Sequence, residues 1–355
     1  MTGYDPPMRA IYAASVGGDD PLANLRVGDV AEHVATPGEA VVTVKAASLN
    51  HHDLWTLRGV ASRPVVPPQV LGCDAAGVVE RYVGDPPAGA PKVGARVVVH
   101  SVLPCGECHA CLAADPLHCG SIAILSEPGY PGALAETLSV PAANLIALPD
   151  AVDFAAAACL PTAYLTAYRA LFVRAQAQPG MTVLVHGATG GVSTAALVLC
   201  RAAGINTVVS SRDMAKGQWA VQTLGAVAAV GYDRDATKTV LNVTNGRGVD
   251  AVLDTVGEPA WELSLRAVMT GGTIVVCGTT GGPNPPAQLH RVFWRHLTVA
   301  GSSMGTRPEL DRLVNMCAQR DVAPLIDSTY AFDDAPAAFA HLAAGEQRGK
   351  VVITV

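Results

Sequence analysis

The spacing of apolar positions changes near residue 150. From residue 8 to about residue 149 the apolar runs are short, and turns rich in Pro and Gly separate them, as in VGDPPAGAPKVGARV. This pattern predicts strands at 39–44, 76–79 and 95–100. The first part of the chain is therefore interpreted as a strand-rich, partly closed domain.

After about residue 155, helical patterns alternate with apolar strands. A strand at 182–186 leads through a Gly-rich turn into a helix at 192–203, and further strands follow at 206–210, 249–254, 273–277 and 297–300. This alternation predicts an α/β fold with a parallel sheet wound on both faces. From about residue 309 the pattern predicts a helix, a strand at 324–332, another helix and a strand at 350–355, and we expect this section to rejoin the first domain.

Composition narrows the class of protein. With 355 residues, 50% of them hydrophobic and 15% charged, the chain is long and apolar enough for two globular domains. A net charge of −6 argues against nucleic acid as a main partner. The apolar run at 155–173 contains Pro161 and Arg169, which favours a buried helix over a membrane span. No secretory signal pattern is present and the nine cysteines are an odd number, so a cytoplasmic location is expected.

The run CGECHACLAADPLHC carries the strongest chemical signal. Its four cysteines have the spacing C-x2-C-x2-C-x7-C, which suits a tetrahedral zinc with four thiolate ligands. Since four thiolates leave no position for water, the predicted zinc is structural rather than catalytic. His109 and His118 lie inside the run but are interpreted as exposed loop residues. The predicted ligands are Cys105, Cys108, Cys111 and Cys119.

A second signal is the Gly-rich turn HGATGGVS between a predicted strand and a predicted helix. Such a turn lets the backbone approach a pyrophosphate, which the N-terminus of the helix then attracts. Ser193 stands where the last glycine of this fingerprint usually lies, and a tight turn without a ligand is the alternative. The predicted cofactor-binding residues of the turn are Gly187, Ala188, Thr189, Gly190, Gly191 and Val192.

The end of the next strand bears on the choice of cofactor. An NAD site usually places an acid there to hold the ribose 2′-hydroxyl. Here the strand ends with Ser210, Ser211 and Arg212, and Lys216 adds positive charge, which suits a 2′-phosphate. Asp213 argues the other way but lies two positions late. The sequence therefore favours NADPH over NADH, with Ser211, Arg212 and Lys216 as cofactor-binding residues.

With both signals the whole chain resembles the medium-chain dehydrogenase/reductase family, and in particular its quinone-reductase-like branch. The resemblance implies a GroES-like domain at 1–155 and 310–355 with a structural zinc lobe at 100–125, and a Rossmann domain at 156–309. A homodimer or homotetramer acting on a small molecule is the expected assembly. The segments that carry the resemblance are KAASLNHHDLWTLRG, LGCDAAGVVE, AACLPTAYLTAYRAL and HGATGGV.

The chain departs from the zinc alcohol dehydrogenases of that family at the catalytic metal. By alignment of the motifs, Asn50, Cys73 and Thr162 stand where those enzymes have Cys, His and Cys, while Asp74 keeps the acid. A catalytic zinc needs three protein ligands and a water. It would therefore depend here on help from His51 or His52. Without a Lewis acid, hydride transfer to a quinone or a carbonyl-conjugated double bond remains feasible, because such acceptors are already electrophilic.

The predicted catalytic residues surround these positions: Asn50, His52, Asp53 and Thr162. His52 occupies the proton-relay position of the family, although a hydrogen bond to ribose or backbone is the alternative. We expect Asn50 to donate to a carbonyl oxygen or a ribose, and Asp53 to orient the loop through a buried pair with Arg348. Trp55 and Trp294 are predicted pocket walls, and Lys350 is expected to be structural.

Three functions remain open at this stage. The leading hypothesis is NADPH-dependent reduction of a quinone or an α,β-unsaturated carbonyl without a catalytic zinc. The second is an alcohol dehydrogenase with an atypical metal site. The third is a non-catalytic dinucleotide-binding redox sensor.

Overall fold

The computed structural model describes residues 7–320 and 322–355. The chain divides into two compact units: Met1–Thr162 together with Gly305–Val355, and Ala163–Met304. The boundaries predicted from sequence, at 155/156 and 309/310, lie a few residues away. Within the described residues, every helix falls short of the length and apolar character that crossing a membrane requires.

The first unit is rich in strands. Its described strands form sheets with the orders β2-β1-β4 and β10-β6-β5-β3-β18-β17, with β9 also on β3, and the pair β7-β8. The last strand, β18, pairs antiparallel with β3, so the C-terminal section belongs to the sheet of this unit. The strands are β1 (Pro7–Ala13), β2 (Leu25–Ala31), β3 (Glu39–Ser48), β4 (Gln69–Val70), β5 (Asp74–Tyr82), β6 (Arg96–Val99), β7 (Val102–Leu103), β8 (Ala123–Ile124), β9 (Thr137–Pro141), β10 (Leu145–Ala147), β17 (Ile326–Ala331) and β18 (Lys350–Thr354).

The second unit contains a parallel sheet with the order β13-β12-β11-β14-β15-β16. Numbered within the unit this is 3-2-1-4-5-6, the order of dinucleotide-binding folds, whose ligands bind at the carboxyl ends of the strands where the order reverses. That reversal lies between β11 and β14. The strands are β11 (Thr182–His186), β12 (Asn206–Ser210), β13 (Ala228–Val230), β14 (Val249–Asp254), β15 (Val268–Val276) and β16 (Thr298–Gly301).

Both units contain helices. The α-helices are α1 (His51–Leu57), α2 (His109–Leu112), α3 (Phe154–Ala158), α4 (Leu165–Tyr168), α5 (Gly191–Ala202), α6 (Met214–Leu224), α7 (Arg234–Val243), α8 (Glu258–Ala267), α9 (Leu289–Trp294), α10 (Arg307–Arg320) and α11 (Ala335–Ala344). Two π-helical segments, Leu160–Tyr164 and Arg169–Arg174, interrupt the predicted buried helix at 155–173.

Each unit has its own hydrophobic core. One cluster of the first unit brings Ile11, Leu57 and Leu134 together with Phe339 and Ile353 from the chain end. A cluster of the second unit packs α7 and α8 on the sheet. The α/β fold class predicted from sequence is confirmed: one unit is rich in strands, and the other contains a doubly wound sheet.

Candidate functional site

The four cysteines predicted as ligands converge in the structure. Their sulfur atoms all lie within 4.8 Å of one another. The separations are 3.6 Å for Cys108–Cys111, 3.5 Å for Cys119–Cys105 and 3.9 Å for Cys105–Cys111. Four sulfurs placed about 2.3 Å from a central zinc would be about 3.8 Å apart, so the thiols fit a tetrahedral metal.

Local backbone geometry explains how the lobe forms. Gly106 has φ of +80°, which residues with a side chain rarely adopt, and it turns the chain between the first two cysteines. The backbone N–H of Cys108 donates to Cys105 Sγ, and that of Cys105 donates to Cys119 Sγ, each at 3.4 Å. His118 lies outside the sulfur cluster and pairs with Asp115 at 2.6 Å. The residues present therefore fit a structural zinc.

The Gly-rich turn lies between β11 and α5, at the point where the strand order reverses. Gly187 has φ of +88°, and a Cβ there would lie 2.7 Å from Ser193 Oγ. Ser193 is buried, and its hydroxyl donates to the carbonyl of His186 at 2.9 Å. Ser193, which stands in place of the last glycine of the fingerprint, therefore connects the first turn of α5 to the end of β11 through this hydrogen bond. This geometry suits a pyrophosphate at the N-terminus of α5.

The end of β12 presents the residues predicted to recognise the ribose. Ser211 is buried, and its N–H donates to Val230 of β13 at 2.9 Å, while Arg212 is exposed. Asp213 caps α6: its Oδ1 accepts the N–H groups of Ala215 at 2.8 Å and Lys216 at 3.4 Å. Since capping occupies an oxygen of the Asp213 carboxylate, the acid that argued for NADH has a structural role.

In the first unit, the four positions aligned with a catalytic metal site come together around Asp74. Thr162 donates to Asp74 Oδ1 at 2.6 Å, and Asn50 Nδ2 donates to Asp74 Oδ2 at 2.8 Å. Ser48 also donates to Oδ2, at 2.9 Å, and Ser101 lies 3.4 Å from Oδ1. Asp74 is fully buried. We call this group, Ser48, Asn50, Cys73, Asp74, Ser101 and Thr162, the Asp74 cluster.

Cys73 contributes a neutral thiol to the Asp74 cluster. Its sulfur lies 3.4 Å from Thr162 Oγ1 and 3.4 Å from Asn50 Nδ2. Complete burial, together with the charges of Asp74 and Asp53, raises the pKa of Cys73 well above its ordinary value. Cys159, one helical turn before Thr162, directs its thiol to the carbonyl of Ala155 at 3.2 Å instead.

Lys350 supplies the positive charge of this site. Its ammonium donates to Leu49 O at 2.7 Å and to Asn50 Oδ1 at 2.6 Å, and lies 3.6 Å from Asp74 Oδ2. Its side chain is only 3% exposed. These contacts fix the Asn50 amide with its oxygen toward Lys350 and its nitrogen toward Asp74. Donation from Asn50 to a substrate oxygen, as predicted from sequence, would require one of its internal hydrogen bonds to break.

Asp53 orients the start of α1 through two backbone partners, and its expected ion pair with Arg348 stays a prediction. Its two oxygens accept the backbone N–H groups of Asn50 and Gly72, each at 2.8 Å. Complete burial raises the pKa of Asp53, while His52 and the two N–H groups oppose the rise. The N–H of Arg348 donates to Asp327. Asp53 thereby ties α1 to the segment that carries Cys73.

His52 has a ring nitrogen that the protein leaves unused. Within the described residues, His52 Nδ1 is buried and has no hydrogen-bond partner. Its backbone carbonyl accepts the hydroxyl of Thr56 at 3.1 Å. Of the predicted pocket walls, Trp55 is 43% exposed on α1 and Trp294 is 71% exposed on α9 of the other unit.

Sequence reasoning missed the roles of four residues, three in the first unit and one in the second. Ser48 and Ser101 bind the Asp74 carboxylate, and Lys350 was expected to be only structural. In the second unit, Tyr232 follows β13 and lies 3.2 Å from Ser210. The sequence does show a lysine in the last strand and a tyrosine two residues after a strand. It does not show which residues they contact.

Comparisons with known proteins agree with this architecture. Residues 36–150 match the alcohol dehydrogenase GroES-like domain, and residues 191–319 match the zinc-binding dehydrogenase domain. Together with the geometry of the Gly-rich turn, these matches support a nicotinamide dinucleotide as cofactor.

Individual relatives cover nearly the whole chain. A zinc-type alcohol dehydrogenase-like protein of Schizosaccharomyces pombe is 31% identical over 90% of this chain and 91% of its own length. Acryloyl-coenzyme A reductase of Metallosphaera sedula is 28% identical over 92% and 96%. A solved structure named an NAD-dependent alcohol dehydrogenase superposes with a TM-score of 0.88 at 32% identity, covering 98% of this chain and 100% of its own.

Proposed function

Because this chain belongs to the medium-chain dehydrogenase/reductase family and is an oxidoreductase of that type, we propose that it transfers hydride from NADPH to a quinone or an α,β-unsaturated carbonyl without a catalytic zinc. The observation that carries the proposal is the Asp74 cluster. Its one carboxylate accepts hydrogen bonds from Ser48, Asn50 and Thr162 and is balanced by the ammonium of Lys350.

The donor set of the Asp74 cluster suits hydrogen bonding better than metal ligation. A catalytic zinc requires three ligands that are thiolate, imidazole or carboxylate. Here an amide and a hydroxyl occupy two of the aligned positions, which leaves only the Cys73 thiol and the Asp74 carboxylate as ligands of the kind that zinc prefers. A cation next to Lys350 would also meet its positive charge. These residues therefore do not fit a zinc, and no step of the proposed reaction depends on one.

The chemistry follows from the neutral character of this site. Oxidation of a simple alcohol needs stabilisation of a developing alkoxide, which a Lewis acid normally provides. Reduction of a conjugated acceptor needs a hydride, which NADPH supplies when bound, and a proton. His52, with a free buried nitrogen, is the candidate to hold and deliver that proton. Asn50, Asp53 and Thr162 position the segments around it.

Cofactor choice is proposed from the second unit. Ser211, Arg212 and Lys216 stand at the predicted 2′-position, and Asp213 is engaged in capping α6. Arg212 offers a charged fork to a phosphate. The solved relative named as NAD-dependent shares the fold at 32% identity, so the residues after β12, rather than the fold, must carry the preference.

The test combines metal analysis with kinetics on two matched cysteine variants. Wild type, Cys73→Ser and Cys159→Ser are assayed for zinc content and for NADPH oxidation with a quinone, a 2-alkenal and an enoyl thioester. Both thiols are fully buried, but only Cys73 belongs to the Asp74 cluster. We expect one zinc per chain in all three proteins, and reduction by Cys73→Ser within about tenfold of that by Cys159→Ser.

Two results would overturn the proposal. Two zincs per chain in wild type, falling to one with loss of activity in Cys73→Ser alone, would favour the zinc-dependent alcohol dehydrogenase. No oxidation of NADPH with any of the three acceptor classes would favour a non-catalytic sensor.

A further inference from the structure

A buried chain of polar side chains runs beneath the Gly-rich turn. His186, the last residue of β11, is fully buried. Its Nδ1 lies 2.6 Å from Ser210 Oγ, and its Nε2 lies 2.7 Å from Ser264 Oγ. His186, which directly precedes Gly187, therefore links the end of β12 to α8 through two hydrogen bonds.

Each serine also has a partner on its far side. Ser264 donates to Asp254 Oδ2 at 3.1 Å, and Ser210 donates to Tyr232 Oη at 3.2 Å. The other oxygen of Asp254 accepts the N–H groups of Val256 and Gly257, at 2.9 Å and 2.8 Å. The chain thus extends from a fully buried carboxylate to a tyrosine beside the predicted ribose site.

The number of hydrogens available to this chain permits two arrangements. A hydroxyl has one hydrogen to donate. When both serines donate outward, the ring must donate from both nitrogens, so His186 is an imidazolium. When His186 is neutral, one serine must turn its hydrogen toward the ring. Since a buried carboxylate is costly to leave without its donor, Ser210 is the serine that turns its hydrogen to the ring, and its hydrogen bond with Tyr232 reverses direction.

The position of Tyr232 connects these states to the cofactor. Tyr232 follows β13, and Ser211 and Arg212 follow β12, the strand that pairs with β13. Burial raises the pKa of Tyr232, and the charge of Arg212 opposes the rise, so the phenol stays protonated near neutral pH. With neutral His186, the phenol donates inward to Ser210. With protonated His186, it receives from Ser210 and can donate outward.

We propose that His186 is a specificity-determining positioning residue that couples recognition of the ribose 2′-phosphate to uptake of one proton. The inference rests on the NADPH use proposed above. On binding, a solvent proton adds to Nδ1 of His186, the Ser210 hydrogen turns to Tyr232, and the Tyr232 hydrogen turns to a phosphate oxygen. Release of the nucleotide reverses each movement. A 2′-hydroxyl can itself donate to Tyr232, so NADH needs no such uptake.

The charges around His186 set the direction of the pH dependence. Burial lowers the pKa of His186, and Asp254 on β14 opposes this. Cys277 after β15 is neutral, because burial and Asp254 raise its pKa to about 12. On the other side lie Tyr232 and, beyond it, Arg212. His186 is thus neutral in the free protein, and a bound phosphate raises its pKa. The added NADPH affinity is therefore present at low pH and is lost as pH rises through the pKa of the bound form.

The experiment measures proton uptake with NADPH and NADH as probes. Calorimetry in two buffers of different ionisation enthalpy gives the protons bound by wild type, His186→Asn and Tyr232→Phe. The Asn amide keeps a donor toward Ser210 but does not titrate. The phosphate's own titration is common to all three proteins. We expect NADPH binding by wild type to take up more protons than either variant, by up to one per chain, with no such difference for NADH.

Affinity gives a second readout. The NADPH-to-NADH affinity ratio of wild type should fall with rising pH more steeply than that of both variants, by up to about tenfold per pH unit. Equal proton uptake and equal slopes in wild type and variants would overturn the inference, as would equal losses for both cofactors at every pH. Should His186→Asn not fold, Tyr232→Phe decides alone.

Failure here and failure of NADPH use are distinguishable. A wild type that prefers NADH, with no effect of Arg212→Ala on NADPH, removes the proposed cofactor and the inference with it. A clear NADPH preference without coupled proton uptake removes only the role of His186.

Discussion

Replacement of Lys350 by Met tests whether the Asp74 cluster depends on a buried ammonium. Lys350→Met keeps an unbranched apolar stem of similar length and removes the charge. The Lys350 side chain is 3% exposed, and Asp74 is fully buried. The substitution removes two short hydrogen bonds, to Leu49 and Asn50, and leaves the Asp74 carboxylate without its counter-ion.

The expected loss can be stated from this geometry. Removing one partner of a buried ion pair costs about 3–5 kcal/mol, because the other charge stays buried and uncompensated. In a unit of this size, each kcal/mol lowers Tm by about 2–4 °C. Lys350→Met should therefore lower the Tm of the first unit by about 6–20 °C.

Thermal unfolding followed by calorimetry provides the measurement, with two companion variants. Lys238→Met removes an ammonium that pairs with Asp235 at 2.7 Å on the exposed surface, and its Tm should match that of wild type. The double variant Lys350→Met with Asp74→Asn removes both buried charges and should recover much of the loss. A Tm for Lys350→Met within about 2 °C of wild type would refute the reasoning.

Three further predictions address zinc, cofactor and proton transfer. Elemental analysis should find one zinc per chain, and Cys111→Ser should lower thermal stability more than hydride transfer, since a closed structural site contributes folding energy; two zincs, or none in fresh protein, would contradict this. Arg212→Ala should weaken NADPH binding by about 1.5–3 kcal/mol and leave NADH nearly unchanged, whereas equal losses would remove Arg212 from the 2′-position. His52→Ala should slow single-turnover reduction at saturating NADPH by about 10²–10⁴-fold; an unchanged rate and pH profile would leave solvent as the proton source.

The second unit was the more predictable part of the chain. Its buried parallel strands have apolar centres, and the predicted ranges 182–186, 206–210 and 249–254 coincide with β11, β12 and β14. The cysteine spacing likewise predicted a cluster, because ligands close in sequence need only a local turn. In both cases neighbouring residues determine the outcome.

Contacts between residues far apart in the sequence could not be predicted. Alignment placed Asn50, Cys73 and Thr162 at one site, but it did not reveal that Lys350 from the last strand lies beside them. Nor did the sequence reveal that the two Asp53 oxygens accept backbone N–H groups, while the expected pair of Asp53 with Arg348 stays a prediction. Backbone donors are present at every residue, so no sequence pattern marks where they will satisfy a buried carboxylate.

Because Gly187 and Ser193 are in close contact, the residue tolerated at one position depends on the residue at the other. A Cβ at 187 would collide with the Ser193 hydroxyl at 2.7 Å, and the φ of +88° penalises side chains there in any case. Conversely, a glycine at 193 would restore the usual fingerprint but remove one of two hydroxyl donors from the carbonyl of His186, leaving that of Thr255. Substitutions at 187 and 193 are therefore conditional on one another, and any attempt to redesign the turn must treat them as a pair.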